Sequence, residues 1–486
     1  MNRLLVASPV GIVSFMAALA IASIAVKSGL IPSDTLSLWA GAIIAGDGQQ
    51  SLGRIVAAYP TIPFMATSAL EFLAPAGTPA PAVLAAALVG LLAGIWFLAF
   101  RAASLNLVVA GIATALLAFH PALLRAAIAG PSEMLVALFM FLFGNALFDL
   151  RERGAAPEVM VVSLALLGLA FSHPMGAAFA CAAVPFLIFA VRPGLVANSA
   201  FNVVLVLVFP TVFSVGAFTY VSWVFPGDGW SFYSAPSQSL SNWAAGVSDL
   251  FGGGITGNLA VDAALGFATA TVLGAPLAAV ALYRVRMRRP LLAPPAVLAA
   301  TAISAAAISV GTGLFGDPAA VAVAAPVLCA IAIIRIPPAR ENAGTMLGLL
   351  TLGWLAGALA LTLVDPRAAS QFTGIELSRG HERVDALDLG RALVKRNGVL
   401  VDTDNSPAIV IGRGQARGLF TPSDEQFSLA ILLSRIDTPY VAVPDPHSVT
   451  GAQDRIVRAF PLLYRDGTPG YRLVYQNATW RLFARN

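Results

Sequence analysis

A chain of 486 residues that is 58% hydrophobic and only 11% charged, with a mean hydropathy of +0.81, is excluded from the water-soluble globules, in which about a quarter of residues carry charge. The formal charge of +4 does not signal nucleic acid, because the basic residues stand in short clusters between apolar runs, which is membrane topology rather than a phosphate-binding face. Cys181 and Cys329 both fall inside apolar runs and read as packing residues, with no disulfide expected between them.

The chain opens on MNRLLVASPVGIVSFMAALAIASIAVKSGL, a basic residue followed by an apolar core. Its length fits a full span, and no small-x-small cleavage site precedes polar sequence, so it reads as a first transmembrane helix rather than a cleaved signal. Runs of about 17 or more apolar residues predict eleven spans, near 5–29, 81–100, 104–120, 132–149, 158–174, 176–191, 199–225, 260–283, 291–313, 318–334 and 344–364. Arginine placement orients them, since basic residues collect in cytoplasmic loops. With the N-terminus inside, the cytoplasmic connections hold Arg3, Arg101, Arg151, Arg153, Arg192, Arg284, Arg286, Arg288, Arg289, Arg335 and Arg340, against Lys27, Arg54 and Arg125 outside before the last span.

This layout makes residues 1–365 a membrane domain whose long loops, 30–80 and 226–258, are external, with a short external turn near 121–131. Two stretches of the first loop, 34–45 and 62–74, are amphipathic, and the second reads as an interfacial helix. After Asp365 charges appear at ordinary density, and residues 366–486 are expected to form a small extracytoplasmic α/β domain. Its strands are expected at 399–404, 408–414, 440–445 and 471–486, the last a hairpin around Gln476-Asn477, with helices at 383–397 and 423–436. GRGQARG at 412–418 lacks the spacing of a dinucleotide fingerprint, and no Walker loop is present.

Several residues could carry chemistry. Ser33-Asp34 suits a helix N-cap, and a carboxylate at a membrane surface can equally take a proton from a hydroxyl. Gly46-Asp47-Gly48 reads as a turn between two interfacial helices, and Tyr59-Pro60-Thr61-Ile62-Pro63 follows it. Glu133, after Ser132, suits the first turn of a helix. Arg125 stands on the external side against the topological bias and needs a partner, either a lipid phosphate or the carboxylate of Glu133 or Asp34. His120 and His173 each precede a proline at a helix end, where a histidine serves as a hydrogen-bonding group or as a ligand. Trp230, Phe232, Tyr233 and Trp243 could stack on a sugar or join the interfacial aromatic belt.

Taken together, Asp34, the glycine turn and Tyr59-Pro60 resemble the first external loop of the GT-C class of integral membrane glycosyltransferases, and FHPALLRAAIAGPSE at 119–133 resembles the second. The span layout is similar to that of protein O-mannosyltransferases, and the class includes aminoarabinose transferases; no WWDYG-type sequence marks an oligosaccharyltransferase. The resemblance implies a polyprenyl-phosphate-linked sugar donor and a glycan, lipid or protein acceptor hydroxyl. Asp34 then takes the catalytic position, Tyr59-Pro60 the Tyr-Pro position, and Arg125, with Arg54, His120 and Glu133, the surroundings of the lipid phosphate. The class admits a divalent metal, but Thr35 stands where many members have a second acid, and carboxylates and histidines are scattered without ligand spacing. The expected setting is a bacterial inner membrane, with membrane lipids as neighbours and no nucleic acid. The alternative is a non-catalytic scaffold of an envelope complex that keeps the same fold. A secondary transporter would require mid-membrane charges and internal repeats, which the sequence does not display.

Overall fold

A computed structural model describes residues 2–48, 55–75, 77–225, 229, 256, 258–315, 318–364 and 375–486. The molecule is 73% helical. It divides into two units, one formed by Met1–Ala22, Ala57–Pro63 and Leu84–Ala369, the other by Ser23–Val56, Phe64–Val83 and Ser370–Asn486.

The chain enters through α1 (Asn2–Lys27), α2 (Ser33–Gly46) and α3 (Thr61–Leu73). An apolar series follows: α4 (Ala80–Ala102), α5 (Leu107–Ala118), α6 (Pro121–Ala129), α7 (Pro131–Glu152), α8 (Ala156–Ser172), α9 (Pro174–Ala190) and α10 (Pro193–Val224). Beyond residue 258 come α11 (Leu259–Gly274), α12 (Pro276–Arg284), α13 (Arg289–Thr312), α14 (Ala324–Arg335) and α15 (Ala343–Val364). Among the described residues, five helices are long and apolar enough to cross a membrane, or up to seven if each of two bent pairs is one span. The protein is thus a helical membrane protein. Helices α8 and α9 have 17 residues each; at about 1.5 Å per residue they rise roughly 26 Å, a little less than the ~30 Å hydrocarbon core.

Two segments of this apolar series differ from the sequence expectation. The run at 260–283 is not one straight helix but turns by 87° between α11 and α12. Pro276 has no N–H to give the preceding turn, and Ala275 leaves the helical region at φ −126°, ψ 50°. The expected turn at 121–131 is the nine-residue helix α6, with Pro121 at its first position, where the missing N–H costs nothing.

The core of the first unit is built on aromatic side chains, with Trp96, Phe97, Phe100, Phe143, Phe148 and Phe179 fully or almost fully buried. Small residues let backbones close on one another. A Cβ on Gly144 would lie 2.3 Å from Ile331 Cδ1, and one on Gly176 would lie 1.9 Å from the Leu169 carbonyl oxygen. On α10, Phe201, Phe209, Val212, Phe213, Tyr220 and Trp223 are exposed in the protein alone. A soluble surface does not tolerate so continuous an apolar band, whereas lipid does.

The second unit holds a five-stranded sheet of order β2-β1-β3-β5-β4: β1 (Val399–Leu400), β2 (Leu419–Phe420), β3 (Tyr440–Pro444), β4 (Tyr471–Gln476) and β5 (Trp480–Arg485). Strands β2, β1 and β3 are parallel, and β5 pairs antiparallel with both β3 and β4. The β4–β5 turn is closed by Asn477, whose Oδ1 accepts the N–H groups of Thr479 and Trp480 at 3.2 and 2.7 Å. Helix α16 (Ile375–Ala392) precedes the sheet, and α17 (Pro407–Arg413) and α18 (Glu425–Leu432) cross between its parallel strands. The 408–414 segment, expected as a strand, is therefore helical. Its β-branched run Ile409-Val410-Ile411 imitates a buried strand, but Pro407 starts it and Gly414, left-handed at φ +71°, ends it as a helix.

Candidate functional site

Helix α2 begins at Ser33 and leaves Asp34 exposed in its first turn. Pro32 is the N-cap and makes no side-chain cap bond, so neither Ser33 nor Asp34 caps the helix. Ser33 Oγ donates to Asp34 Oδ1 at 3.5 Å. Residues Trp39, Ala40 and Ile43 face inward and join the core with Leu389, Ile409 and Trp480. Trp39 Nε1 also donates to Glu71 Oε2 of α3 at 3.1 Å. Asp34 is therefore an acid on the open face of a helix whose other face is buried.

Tyr59, His120, Arg125, Glu133 and His173 belong to the other unit. The α5–α6 elbow is made by His120, whose Nδ1 accepts the Ala122 N–H at 3.2 Å; the histidine is buried and acts as an N-cap. Gly130, at φ +120°, joins α6 to α7 in a conformation that favours glycine. Across that joint Arg125 Nη1 meets Glu133 Oε2 at 2.7 Å, with side chains 17% and 9% exposed. Glu133 is thus one of the partners considered from sequence for Arg125. Glu133 does lie in the first turn of α7, but Gly130 rather than Ser132 holds the cap position. Tyr59, ahead of a cis peptide to Pro60, donates its hydroxyl to the Ala170 carbonyl of α8 at 2.8 Å and packs its ring on Phe218. His173 caps α9 through the Met175 N–H, as His120 caps α6. Arg54 and the aromatic residues Trp230, Phe232, Tyr233 and Trp243 lie outside the described residues.

Three arrangements were not foreseen from sequence. Gly353 and Gly357 of α15 are spaced as a G-x-x-x-G pair, a visible sign of close helix packing. A Cβ on Gly353 would fall 2.7 Å from both the Gly274 carbonyl and Pro276 Cδ, and one on Gly357 within 2.8 Å of the His120 ring. One face of α15 thus seats both helix breaks. On the helices α7 and α14, Arg335 grips Asp149 with two parallel bonds of 3.0 Å each and donates from Nε to Asn145 at 3.1 Å. The third is Asp47, whose carboxylate accepts the backbone N–H groups of Ala416 and Arg417. A separation of 369 residues leaves no local signal for that contact.

The same unit contains a buried carboxyl pair. Asp402 and Asp454 are both fully buried, and Asp402 Oδ2 accepts the N–H of Arg455, the residue after Asp454. Burial, reinforced by the charge of Asp402, raises the Asp454 carboxyl to about 7. Burial also lowers Arg413, an effect that Asp47 opposes. Among the described residues no group of three or more His, Cys, Asp or Glu could hold a metal ion.

Chemically, the two units present an exposed carboxyl group in the first turn of one helix and a guanidinium–carboxylate pair at a helix elbow. No protein-family model and no curated protein matches this chain.

Proposed function

We propose that the protein is a GT-C-type glycosyltransferase that moves a sugar from a polyprenyl-phosphate donor to an acceptor hydroxyl at the extracytoplasmic face of a bacterial inner membrane. In this reading the apolar helices make eleven spans, the N-terminus is cytoplasmic, and the sheet-bearing C-terminal residues are extracytoplasmic. The observation that carries it is the exposed Asp34 carboxylate in the first turn of α2, close behind the first membrane helix. Asp34 acts as general base on the acceptor hydroxyl as the sugar leaves the lipid phosphate with inversion at its anomeric carbon. The electron pair of the breaking glycosyl–oxygen bond stays on the phosphate, a growing charge that a neighbouring cation would stabilise.

The experiment is Asp34→Asn in the full chain reconstituted in nanodiscs, assayed with polyprenyl-phosphate mannose and polyprenyl-phosphate aminoarabinose. Transfer should fall by about 10²- to 10⁴-fold, the usual worth of a positioned base, with an unchanged thermal midpoint. Wild-type turnover in the variant sinks the assignment. One observation favours the scaffold reading: Glu133 already compensates Arg125 at 2.7 Å. A scaffold would show no binding of polyprenyl-phosphate lipid and would tolerate loss of both Asp34 and Arg125.

A further inference from the structure

The part of the first loop that carries α2 belongs to one unit with the C-terminal sheet, and α2 is the piece that joins them. Fourteen residues long and free of proline, it is a rod fastened at three places. At its leading end the backbones of Gly29 and Gly380 touch so closely that a Cβ on Gly29 would lie 2.4 Å from the Gly380 carbonyl oxygen. Arg383 Nη1 donates to the Gly29 carbonyl there at 3.1 Å. In the middle, Trp39, Ala40 and Ile43 are buried with residues of α16, α17 and β5. At the trailing end Asp47, the C-cap of α2, presents its carboxylate to the 416–417 backbone.

The third fastening has the chemistry of an anion seat. Gly414 and Gly418 take left-handed backbone angles of +71° and +79°, and the intervening loop turns the N–H groups of Ala416 and Arg417 onto one oxygen of Asp47. Successive amides turned inward in this way form a nest that favours negative charge. Arg417 Nε adds a longer contact of 3.9 Å to the other oxygen, and the charge of Asp47 also acts on the buried Arg413. A plain turn between two helices needs none of this: Gly46 and Gly48 would suffice without an acid between them.

We infer that Asp47 is a positioning residue, a latch that pins the trailing end of α2 to the 414–418 loop and thereby sets the direction in which Asp34 points. This rests on the reading of Asp34 as the base. The thirteen residues from Asp34 to Asp47, at about 1.5 Å each, make a lever of roughly 20 Å with Trp39 near its middle. Release of one end tilts the other about that pivot. A carboxylate base displaced by about 1 Å loses up to roughly 10²-fold in rate, and the two remaining fastenings keep the expected loss below that.

The test uses the full chain in nanodiscs with Asp47→Ala and Asp47→Asn. Three quantities are read: amide exchange of the 414–420 segment, the mobility of a spin label at the exposed position Ser37, and the kinetics of sugar transfer. In Asp47→Ala the Ala416 and Arg417 amides should exchange at least about tenfold faster, since the acceptor that protects them is gone. The label should become more mobile, and kcat should fall about tenfold while KM for the lipid donor stays within about twofold. Asp47→Asn keeps an acceptor oxygen and should recover most of the protection and most of kcat. A general loss of folding would not be rescued by the amide. Unchanged exchange or an immobile label in Asp47→Ala overturns the latch, and a looser helix with undiminished kcat overturns its positioning role. Absence of transfer by the wild-type protein, with the latch intact by exchange and label, refutes the transferase reading and with it the positioning role.

Discussion

Asp454→Asn tests the buried carboxyl pair of the second unit. Asp454 Oδ1 accepts the N–H groups of Ile456 and Val457 at 2.8 and 2.9 Å, while Oδ2 is buried with no hydrogen-bond partner. Asp402 is its neighbour on the segment after β1: its Oδ2 accepts from Asn405 and from the Arg455 N–H at 2.8 and 3.0 Å, and its Oδ1 is likewise buried without a hydrogen bond. The Arg455 guanidinium lies 3.9 Å from Asp402 Oδ1 and pairs more closely with Asp404, at 3.0 Å. Burial is the largest influence on Asp454, the charge of Asp402 adds to it, and the Val457 and Ile456 amides and the charge of Arg455 oppose it. The folded state therefore holds a proton on Asp454 up to pH about 7, against an ordinary 3.8. A carboxyl raised in this way stabilises the fold fully below pH 4, and that contribution is lost as the pH rises through 7. At about 1.4 kcal/mol per pH unit, the gap between 3.8 and 7 sets a ceiling of about 4 kcal/mol.

The asparagine variant keeps the oxygen that caps Ile456 and Val457 and offers an N–H where the acid carried its proton. Thermal unfolding of the full chain in detergent, followed from pH 4 to pH 8, is the assay. The wild-type midpoint should decline across that range by more than that of Asp454→Asn, and the variant should be the more stable of the two at pH 8. Parallel curves would refute the assignment of a buried, protonated acid.

Two further outcomes follow from packing. Gly357→Ala places a methyl group within 2.8 Å of the His120 ring and should cost about 1–3 kcal/mol, as overpacking does; His120→Ala in the same chain should return part of that stability, read as a thermal midpoint and a double-mutant coupling. Arg335→Lys replaces a planar fork with a point charge, giving up one of the two 3.0 Å bonds to Asp149 and the bond to Asn145. With side chains 27% and 29% exposed, the expected loss is about 1 kcal/mol, measured by unfolding in detergent, and equal stability would show that the fork adds nothing over a single charge.

Local chemistry was legible in the sequence and long-range chemistry was not. A histidine before proline announces a cap, and His120 and His173 both cap. Glu133, in the first turn of α7, and Arg125 could be paired on charge alone. The break at Gly274-Ala275-Pro276 was written in the chain but lost inside an apolar run, where hydropathy averages over a proline. Ile409-Val410-Ile411 misled because side chains buried on both sides of a sheet and on one side of a short helix share one composition. Asp47 was read as a turn residue because its partners, Ala416 and Arg417, are distant in sequence and offer backbone amides, which every residue but proline carries.

The seating of both helix breaks on one face of α15 has a mechanical consequence. Gly353 abuts the α11–α12 bend and Gly357 abuts the imidazole at the α5–α6 bend, while Trp354, between them, donates to the Phe119 carbonyl at 2.7 Å. Straightening either bend would drive backbone or ring into a helix that has no side chain to yield. The two elbows are therefore geared to each other through a single rigid shaft, and a displacement at one is felt at the other within a turn of helix.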